Sequence, residues 1–376
     1  MKPLRLLFIT TGLATGGAEM ALLRLIRHLP EGIRTQVISL TDAGTVGPRL
    51  RELGIPLETL EMHPGWVSPL AFLRLIRLIR RARPDIVQTW MYHADLLGGL
   101  AARLAGVRRV VWGLRHSNQD ADKNKRSTRM VAKVCARLSG WLPAAILSCS
   151  EQARRVHSNL GYRDELISVL PNGIEIDRFR PDATSRQTLR EELALPSNTP
   201  LVALIARFHA QKNHQGFLRG AALVQRQRPD VHFILAGHGV DSGNVQLLAW
   251  LNDAGVATTT HLLGERGDVP RLMAAVDVVA SASWGEAFPN VLAEAMACGT
   301  PCAATDAGDS AKIIGDTGRI VPVGDMPALA QAMIELLEQP VAVRTAASEQ
   351  ARARIIERFG IVAVAAEHAA FYRRLV

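Results

Sequence analysis

Short apolar runs alternate with helix-length amphipathic stretches along almost the whole chain. The runs at 4–13 (LRLLFITTGL), 35–40 (TQVISL), 85–90 (DIVQTW), 108–114 (RRVVWGL) and 144–150 (AAILSCS) have the length and composition of buried strands. Between them, AEMALLRLIRHL, PLAFLRLIRLIRRA and DLLGGLAARLAG repeat apolar residues at helical spacing. Strand, helix, strand, helix is the rhythm of a parallel sheet covered by helices on both faces. Residues 171–200 then interrupt it with four prolines, many polar residues and one short helical pattern. After the break come LVALIARF, VHFILAG, THLLG and DVVASAS, each followed by a helical segment, and the chain closes on the helical VAVAAEHAAFYRRLV. Two α/β halves joined near residue 175 are expected.

Length agrees with that division, since 376 residues exceed one ordinary core and suggest two domains, with three as the upper bound. Hydrophobic residues make up 48% and charged residues 21%, which places the chain among folded globular proteins. No apolar run approaches the roughly 18 residues of a membrane-spanning helix. The N-terminal apolar run is short and leads into a threonine and glycine loop, unlike a secretory signal, so a cytoplasmic location is expected. Cys135, Cys149, Cys298 and Cys302 form no CxxC pair and no metal-ligand spacing, and buried thiols are expected.

Charge is unevenly distributed. Residues 1–170 hold 25 Lys and Arg against 13 Asp and Glu, a net of +12, whereas the remainder holds 19 against 22. A basic first half points to an anionic partner: phosphate groups, nucleic acid or a membrane surface.

In open parallel sheets ligands bind beyond the carboxyl ends of the strands, and three such ends carry chemistry here. The first ends in TTGLATGGAEM, where Gly12, Gly16 and Gly17 allow close backbone approach and a helix offers free N–H groups. The spacing is neither the dinucleotide fingerprint nor a Walker loop, and a tight turn without a ligand fits it equally. LVALIARF ends in Arg207, with Lys212 five residues on, a pair suited to a diphosphate or to a solvated surface. DVVASAS is followed by a loop holding Glu286 and a helix, PNVLAEAMAC, holding Glu294 among small apolar residues. Pro289 suits the first turn of that helix, and Glu294 then lies roughly 7 to 8 Å along its axis. A carboxylate buried there needs a partner, either an arginine from elsewhere or a ligand with paired hydroxyls.

Glu-x7-Glu in EAFPNVLAEAMACGTP, with ARFHAQKN upstream, resembles the family 4 retaining glycosyltransferases. The TGGAE, SCSE, VLPNGIEIDRFRP and TDAGDSAKIIGDTGRIVP segments extend the resemblance over nearly the whole chain, in order. The resemblance implies the GT-B fold: two Rossmann-like, doubly wound α/β domains facing a central cleft. Their extents would be 1–174 plus the returning helix 361–376, and 175–360. It further implies a nucleotide-diphosphate sugar donor, UDP-linked before GDP-linked, held mainly by the second domain. By matching position, Glu294 would take the ribose hydroxyls and Glu286 the donor sugar, while Arg207 and Lys212 would grip the diphosphate. Backbone N–H groups around Phe288, Pro289, Asn290 and Val291 would assist, with Gly16 and Gly17 closing over the diphosphate and His116 near the sugar. Two departures stand out: Ala287 replaces the commoner glycine after Glu286, and GLRHSN is not the usual setting of the histidine. The two glutamates are thus read as ligand-holding groups, not as the acid and base of a glycosidase.

Asp120 and Asp122 resemble a metal-binding DxD, but their hydrophilic run NQDADKNKR reads as a loop, so no metal and no cofactor are expected. On the acceptor side, Arg74, Arg77, Arg80, Arg81 and Arg83 flank the apolar stripe of PLAFLRLIRLIRRAR, and six more cations lie between Lys123 and Arg137. Peripheral docking on an anionic membrane would suit a lipid-linked or cell-surface glycan acceptor, and a packed helix with a solvated basic edge is the alternative. His93 and Asp95 are candidates for acceptor contact. No nucleic-acid partner is expected. The alternatives to a transferase are a nucleotide-sugar epimerase of the same fold and a sugar-nucleotide-binding module without turnover.

Overall fold

Every long apolar run becomes a strand, and most become strands that are buried along their length. The structure, a computed structural model, describes residues 3–14, 16–63, 68–117 and 126–376. It divides into two units, one running to Gly173 and taking in Ile361–Val376, the other spanning Ile174–Gly360.

The first unit holds seven parallel strands: β1 (Leu4–Thr10), β2 (Ile33–Ser39), β3 (Leu57–Thr59), β4 (Ile86–Trp90), β5 (Val110–Leu114), β6 (Ala145–Ser148) and β7 (Ile167–Val169). Their order is β3-β2-β1-β4-β5-β6-β7. Alternate residues of one strand serve two separate cores, which is why the runs are continuously apolar rather than alternating. Leu7, Ile9, Val87 and Trp112 pack with residues of the helices Pro69–Ala82, Tyr92–Leu104 and Arg126–Leu138. Leu6, Phe8, Trp90 and Val111 pack with the helix Gly17–His28 and with Ala365, Phe371 and Tyr372 of the C-terminal helix Ile361–Arg374. That last helix is also tied by polar contacts. Tyr372 donates its hydroxyl to Gln88 Oε1 (3.4 Å), and Arg109 Nε donates to the Leu375 carbonyl (2.6 Å).

The second unit holds β8 (Leu201–Ile205), β9 (His232–Ala236), β10 (Thr260–Leu262), β11 (Val278–Ser281), β12 (Cys302–Thr305) and β13 (Arg319–Val321), again all parallel, in the order β10-β9-β8-β11-β12-β13. The helix Ala183–Glu192 is fixed to this sheet by a buried ion pair, Arg190 Nη2 to Asp277 Oδ2 at 2.7 Å. At the boundary of this unit Ile174 donates its N–H to the Phe359 carbonyl (2.7 Å), so the outgoing and returning segments run side by side. Gly173 lies so close to Ile361 that an added Cβ would fall 2.4 Å from its Cδ1, which accounts for the glycine in PNGI.

All four cysteines are buried thiols, as expected. Among the described residues no helix is long and apolar enough to cross a membrane.

Candidate functional site

Each sheet reverses its strand order once, and a crevice forms where the two connections diverge from such a switch point. In the second unit the switch lies between β8 and β11, and Arg207, Lys212, Glu286 and the helix Asn290–Ala297 all follow one of these two strands. In the first unit it lies between β1 and β4, followed by the Gly16–Gly17 turn and by the His93–Asp95 segment.

Arg207 is exposed immediately past β8. The chain then makes a short 3₁₀ turn, Ala210–Lys212, and Asn213 takes a left-handed conformation (φ 53°). Asn213 Oδ1 accepts from Gly216 N (3.1 Å) and so caps the next helix, fixing Lys212 at the crevice. Gly237, at φ 148°, leaves room for this connection, since a Cβ there would meet the Ala206 carbonyl at 2.2 Å. Behind the turn, burial pushes the His214 imidazole down to about 4 and keeps it neutral.

The β11 connection reaches back to the same place. Trp284 N donates to the Gln211 carbonyl (2.8 Å), and Glu286 Oε1 accepts from Lys212 Nζ and from Ser283 Oγ (2.8 Å). The Glu286 side chain is 13% exposed and that of Lys212 24%, so the pair is accessible but shielded. Ala287 is not among the residues with positive φ, so the alanine in place of glycine imposes no backbone strain. The loop after β12 lies against it. A Cβ on Gly308 would meet the Glu286 carbonyl at 2.3 Å, and Asp309 N donates to the Ala287 carbonyl (3.1 Å).

Pro289 opens the helix Asn290–Ala297. Having no N–H, it cannot serve as a backbone donor, so only Phe288, Asn290 and Val291 of the four named residues can. The Phe288 ring is buried against Phe359, with centroids 5.5 Å apart, and is only 6% exposed. Glu294 corrects the picture of an acid inside an apolar helix. Leu292, Ala293, Ala295, Met296 and Ala297 are buried, whereas Asn290, Val291 and Glu294 are half-buried and share one face. The carboxylate therefore shares a face with the first-turn N–H groups. Arg352, which sequence reasoning did not single out, closes the far end of this helix by donating to the carbonyls of Ala297 and Phe179 (the latter at 3.1 Å).

In the first unit, Gly16 is extended at the N-terminus of the helix Gly17–His28. A Cβ on Gly16 would fall 2.3 Å from Glu19 Oε2, so a side chain there would have to displace the Glu19 carboxylate. His116 is half-buried just beyond β5, its ring edge-on to Tyr92 (centroids 6.3 Å). His93 is half-buried, and burial lowers its pKa.

Asp95 does not face an acceptor. It is fully enclosed, and its Oδ1 accepts from Thr89 Oγ1 (2.5 Å) and Gly113 N (3.2 Å), joining the ends of β4 and β5. Burial lifts its pKa to about 7. The sequence pattern could not distinguish a helix N-terminal acid that looks outward from one that turns under the sheet. Asp120 and Asp122 lie outside the described residues. Among the described residues no group of three or more potential ligands is placed to hold a metal.

The sequence model of the family described as Glycosyltransferase Family 4 matches residues 15–178, and that of Glycosyl transferases group 1 matches residues 199–339. Among curated relatives, the UDP-Gal:alpha-D-GlcNAc-diphosphoundecaprenol alpha-1,3-galactosyltransferase of Escherichia coli is 26% identical over 305 residues, covering 78% of this chain and 76% of its own. The GDP-mannose-dependent alpha-(1-6)-phosphatidylinositol monomannoside mannosyltransferase of Mycolicibacterium smegmatis is 29% identical over 289 residues, covering 73% and 72%. In fold, the chain is similar to Anabaena Alr3699/HepE, solved in complex with UDP and glucose, with a TM-score of 0.87 and 23% identity over 99% of this chain and 100% of the other.

Proposed function

Since the chain belongs to glycosyltransferase family 4 and has the GT-B fold, we propose that it is a retaining transferase that moves a sugar from a UDP-sugar to a lipid-linked glycan. The observation that carries this reading is the convergence of Arg207, Lys212, Glu286 and the Asn290–Val291–Glu294 face at the switch point of one sheet. The cations and backbone donors suit a diphosphate, Glu286 the donor sugar and Glu294 the ribose.

In the reaction, the bond from the anomeric carbon to the diphosphate oxygen breaks as a bond to the acceptor oxygen forms on the same face. The acceptor's proton passes to the departing diphosphate. Arg207 and Lys212 stabilise the negative charge that builds there, the kind of preorganised electrostatic contribution that enzymes use most heavily. Glu286 orients the donor sugar and Glu294 takes the ribose hydroxyls. The first unit adds the Gly16–Gly17 turn and His116. No metal or cofactor is required by this scheme.

A lipid-linked acceptor is favoured by the relatives, whose names specify a diphosphoundecaprenol-linked and a phosphatidylinositol-linked substrate. The surface of the first unit fits such an acceptor. Arg74, Arg77, Arg80, Arg81 and Arg83 are all exposed, Leu70 is 78% exposed at the start of the same helix, and Met130 is 66% exposed on the helix Arg126–Leu138. Apolar side chains among cations are what a peripheral protein presents to the cytoplasmic face of an anionic bilayer.

Incubation of the purified protein with UDP- and GDP-sugars, with and without membrane lipid extract, tests the reading. Nucleoside diphosphate released only with acceptor, and a product with the donor's anomeric configuration, is expected. An epimerised sugar nucleotide formed without acceptor overturns it. Vesicle binding that survives neutralisation of the five arginines overturns docking through that helix.

A further inference from the structure

We propose that Trp90, at the end of β4, is a positioning residue that holds the Gly16–Gly17 turn and the His116 segment in one fixed geometry; the inference rests on the donor-binding roles given to those two elements above. Trp90 is 1% exposed and touches both. Its indole N–H donates to the Ala18 carbonyl (3.0 Å), one residue beyond the glycines. Its ring face carries the Arg115 guanidinium at 3.6 Å, and Arg115 is the neighbour of His116. Arg115 Nη1 in turn donates to Asn172 Oδ1 (3.1 Å), which limits where the guanidinium can sit.

The surroundings leave the indole little freedom. Phe8 packs edge-on against it (centroids 6.2 Å), so the ring is wedged between β1 and Arg115. The next residue, Met91, takes φ 76°, a conformation that costs a side-chain-bearing residue and persists only where its surroundings enforce it. Beyond Met91, Tyr92 packs in the opposite core and presents its ring to His116. Tyr92 is itself anchored, its hydroxyl 2.7 Å from His157 Nε2. His157 Nδ1 is 2.6 Å from the Ala153 carbonyl, so Nδ1 carries the proton and Nε2 accepts from the tyrosine. The end of β4 thus supports the His116 segment from both faces of the sheet, and Trp90 is the member that also reaches the glycine turn. A phenylalanine would keep an aromatic face under Arg115 but lose the link to Ala18.

The test compares Trp90→Phe with Trp112→Phe, a buried tryptophan of the neighbouring strand that faces the other core. Wild-type turnover, and its loss in Arg207→Ala, first establish the transferase reading. With that in place, Trp90→Phe is expected to lower kcat by about tenfold to a hundredfold with little change in acceptor KM, the signature of misplacement rather than lost binding. Trp112→Phe should lower the melting temperature comparably and hold kcat within about twofold. A kcat for Trp90→Phe that matches the Trp112→Phe control overturns the inference and leaves the transferase reading intact. If Trp90→Phe fails to fold, Arg115→Met removes the stacked cation without opening a cavity. The same fall in kcat supports the inference, and an unchanged kcat overturns it.

Discussion

Lys212 and Glu286, 74 residues apart in sequence, form an ion pair across the switch point of the second sheet. The pair places the only acid of the β11 loop against the cation given to the diphosphate. Before a donor arrives, each neutralises the other. On the proposed reading, a bound diphosphate would compete for the ammonium and free the carboxylate for sugar hydroxyls.

That competition predicts opposite effects on nucleotide and donor. In Lys212→Met, UDP affinity should fall about tenfold or more, because a charge-assisted contact is lost. In Glu286→Gln, the ammonium loses its resident counter-charge, so UDP affinity should hold or rise by a few fold while transfer slows about a hundredfold. Titration calorimetry with UDP, alongside turnover, separates the two. Equal UDP affinity in Lys212→Met and wild type would detach Lys212 from the diphosphate.

Glu294 shares its face with Asn290 and Val291, next to the helix N-terminus. If the carboxylate accepts from ribose hydroxyls, Glu294→Ala should weaken UDP binding by about tenfold, since hydrogen bonds to a charged group contribute about 1.5 to 3 kcal/mol. The same substitution should cost less for 2′-deoxy-UDP, which keeps only the 3′-hydroxyl for the carboxylate. An identical loss for both nucleotides would show that Glu294 acts through the helix rather than on the ribose.

How much of this was visible in the sequence depended on segment length and on what a pattern can encode. The runs that became β1, β4, β5, β8, β9 and β11 are long enough to show their apolar character, and Pro69–Ala82 was legible from its stripe and its proline start. Cys302–Thr305, Arg319–Val321, Leu57–Thr59 and Ile167–Val169 were not legible as strands. Val278–Ser281 is as short as Cys302–Thr305, but DVVASAS extends it into an apolar run, whereas CAAT has little β propensity of its own and its parallel neighbours impose the conformation. At the site, Arg207, Lys212, Glu286 and Glu294 were legible because charges stand out at strand ends. The Lys212–Glu286 pairing, the Ser283 contact and the Trp90 indole bond were not. They depend on which strands become neighbours, and the 3-2-1-4 order of the first sheet and the 8-11 adjacency of the second are tertiary facts.

Arg190 and Asp277 illustrate the structural side of the same limitation. The guanidinium is 1% exposed and donates to Asp277 and to the Thr199 and Ala275 carbonyls, while Leu201 N donates to the same carboxylate (2.9 Å). Asp277 also pairs with Arg186, so it is removal of the carboxylate that strands the buried Arg190 charge. Asp277→Ala should therefore cost about 3 to 5 kcal/mol in urea unfolding. A loss below about 1 kcal/mol would mean that the helix Ala183–Glu192 is held by its apolar contacts alone.

Asp95 yields a prediction in pH. Its pKa rises from 3.8 to about 7 in the native state because burial disfavours the ionised form. The native protein therefore keeps a proton that the unfolded chain has released. The stabilisation from this group is complete below pH 3.8, declines as pH rises towards 7, and is lost beyond it. His157 and His214, both pushed down to about 4 by burial, act oppositely, losing stability as pH falls through the range from 6.5 to about 4. Asp95→Asn isolates the carboxyl. The amide oxygen can still accept from Thr89 and Gly113, and its NH₂ takes the place of Oδ2, which has no hydrogen-bond partner. The variant should match wild type near pH 4 and gain on it up to pH 7, by at most about 1.4 kcal/mol per pH unit. Scanning calorimetry from pH 4 to 8 reads this directly. A stability difference that stays constant across that range would mean that Asp95 is ionised in the native protein throughout.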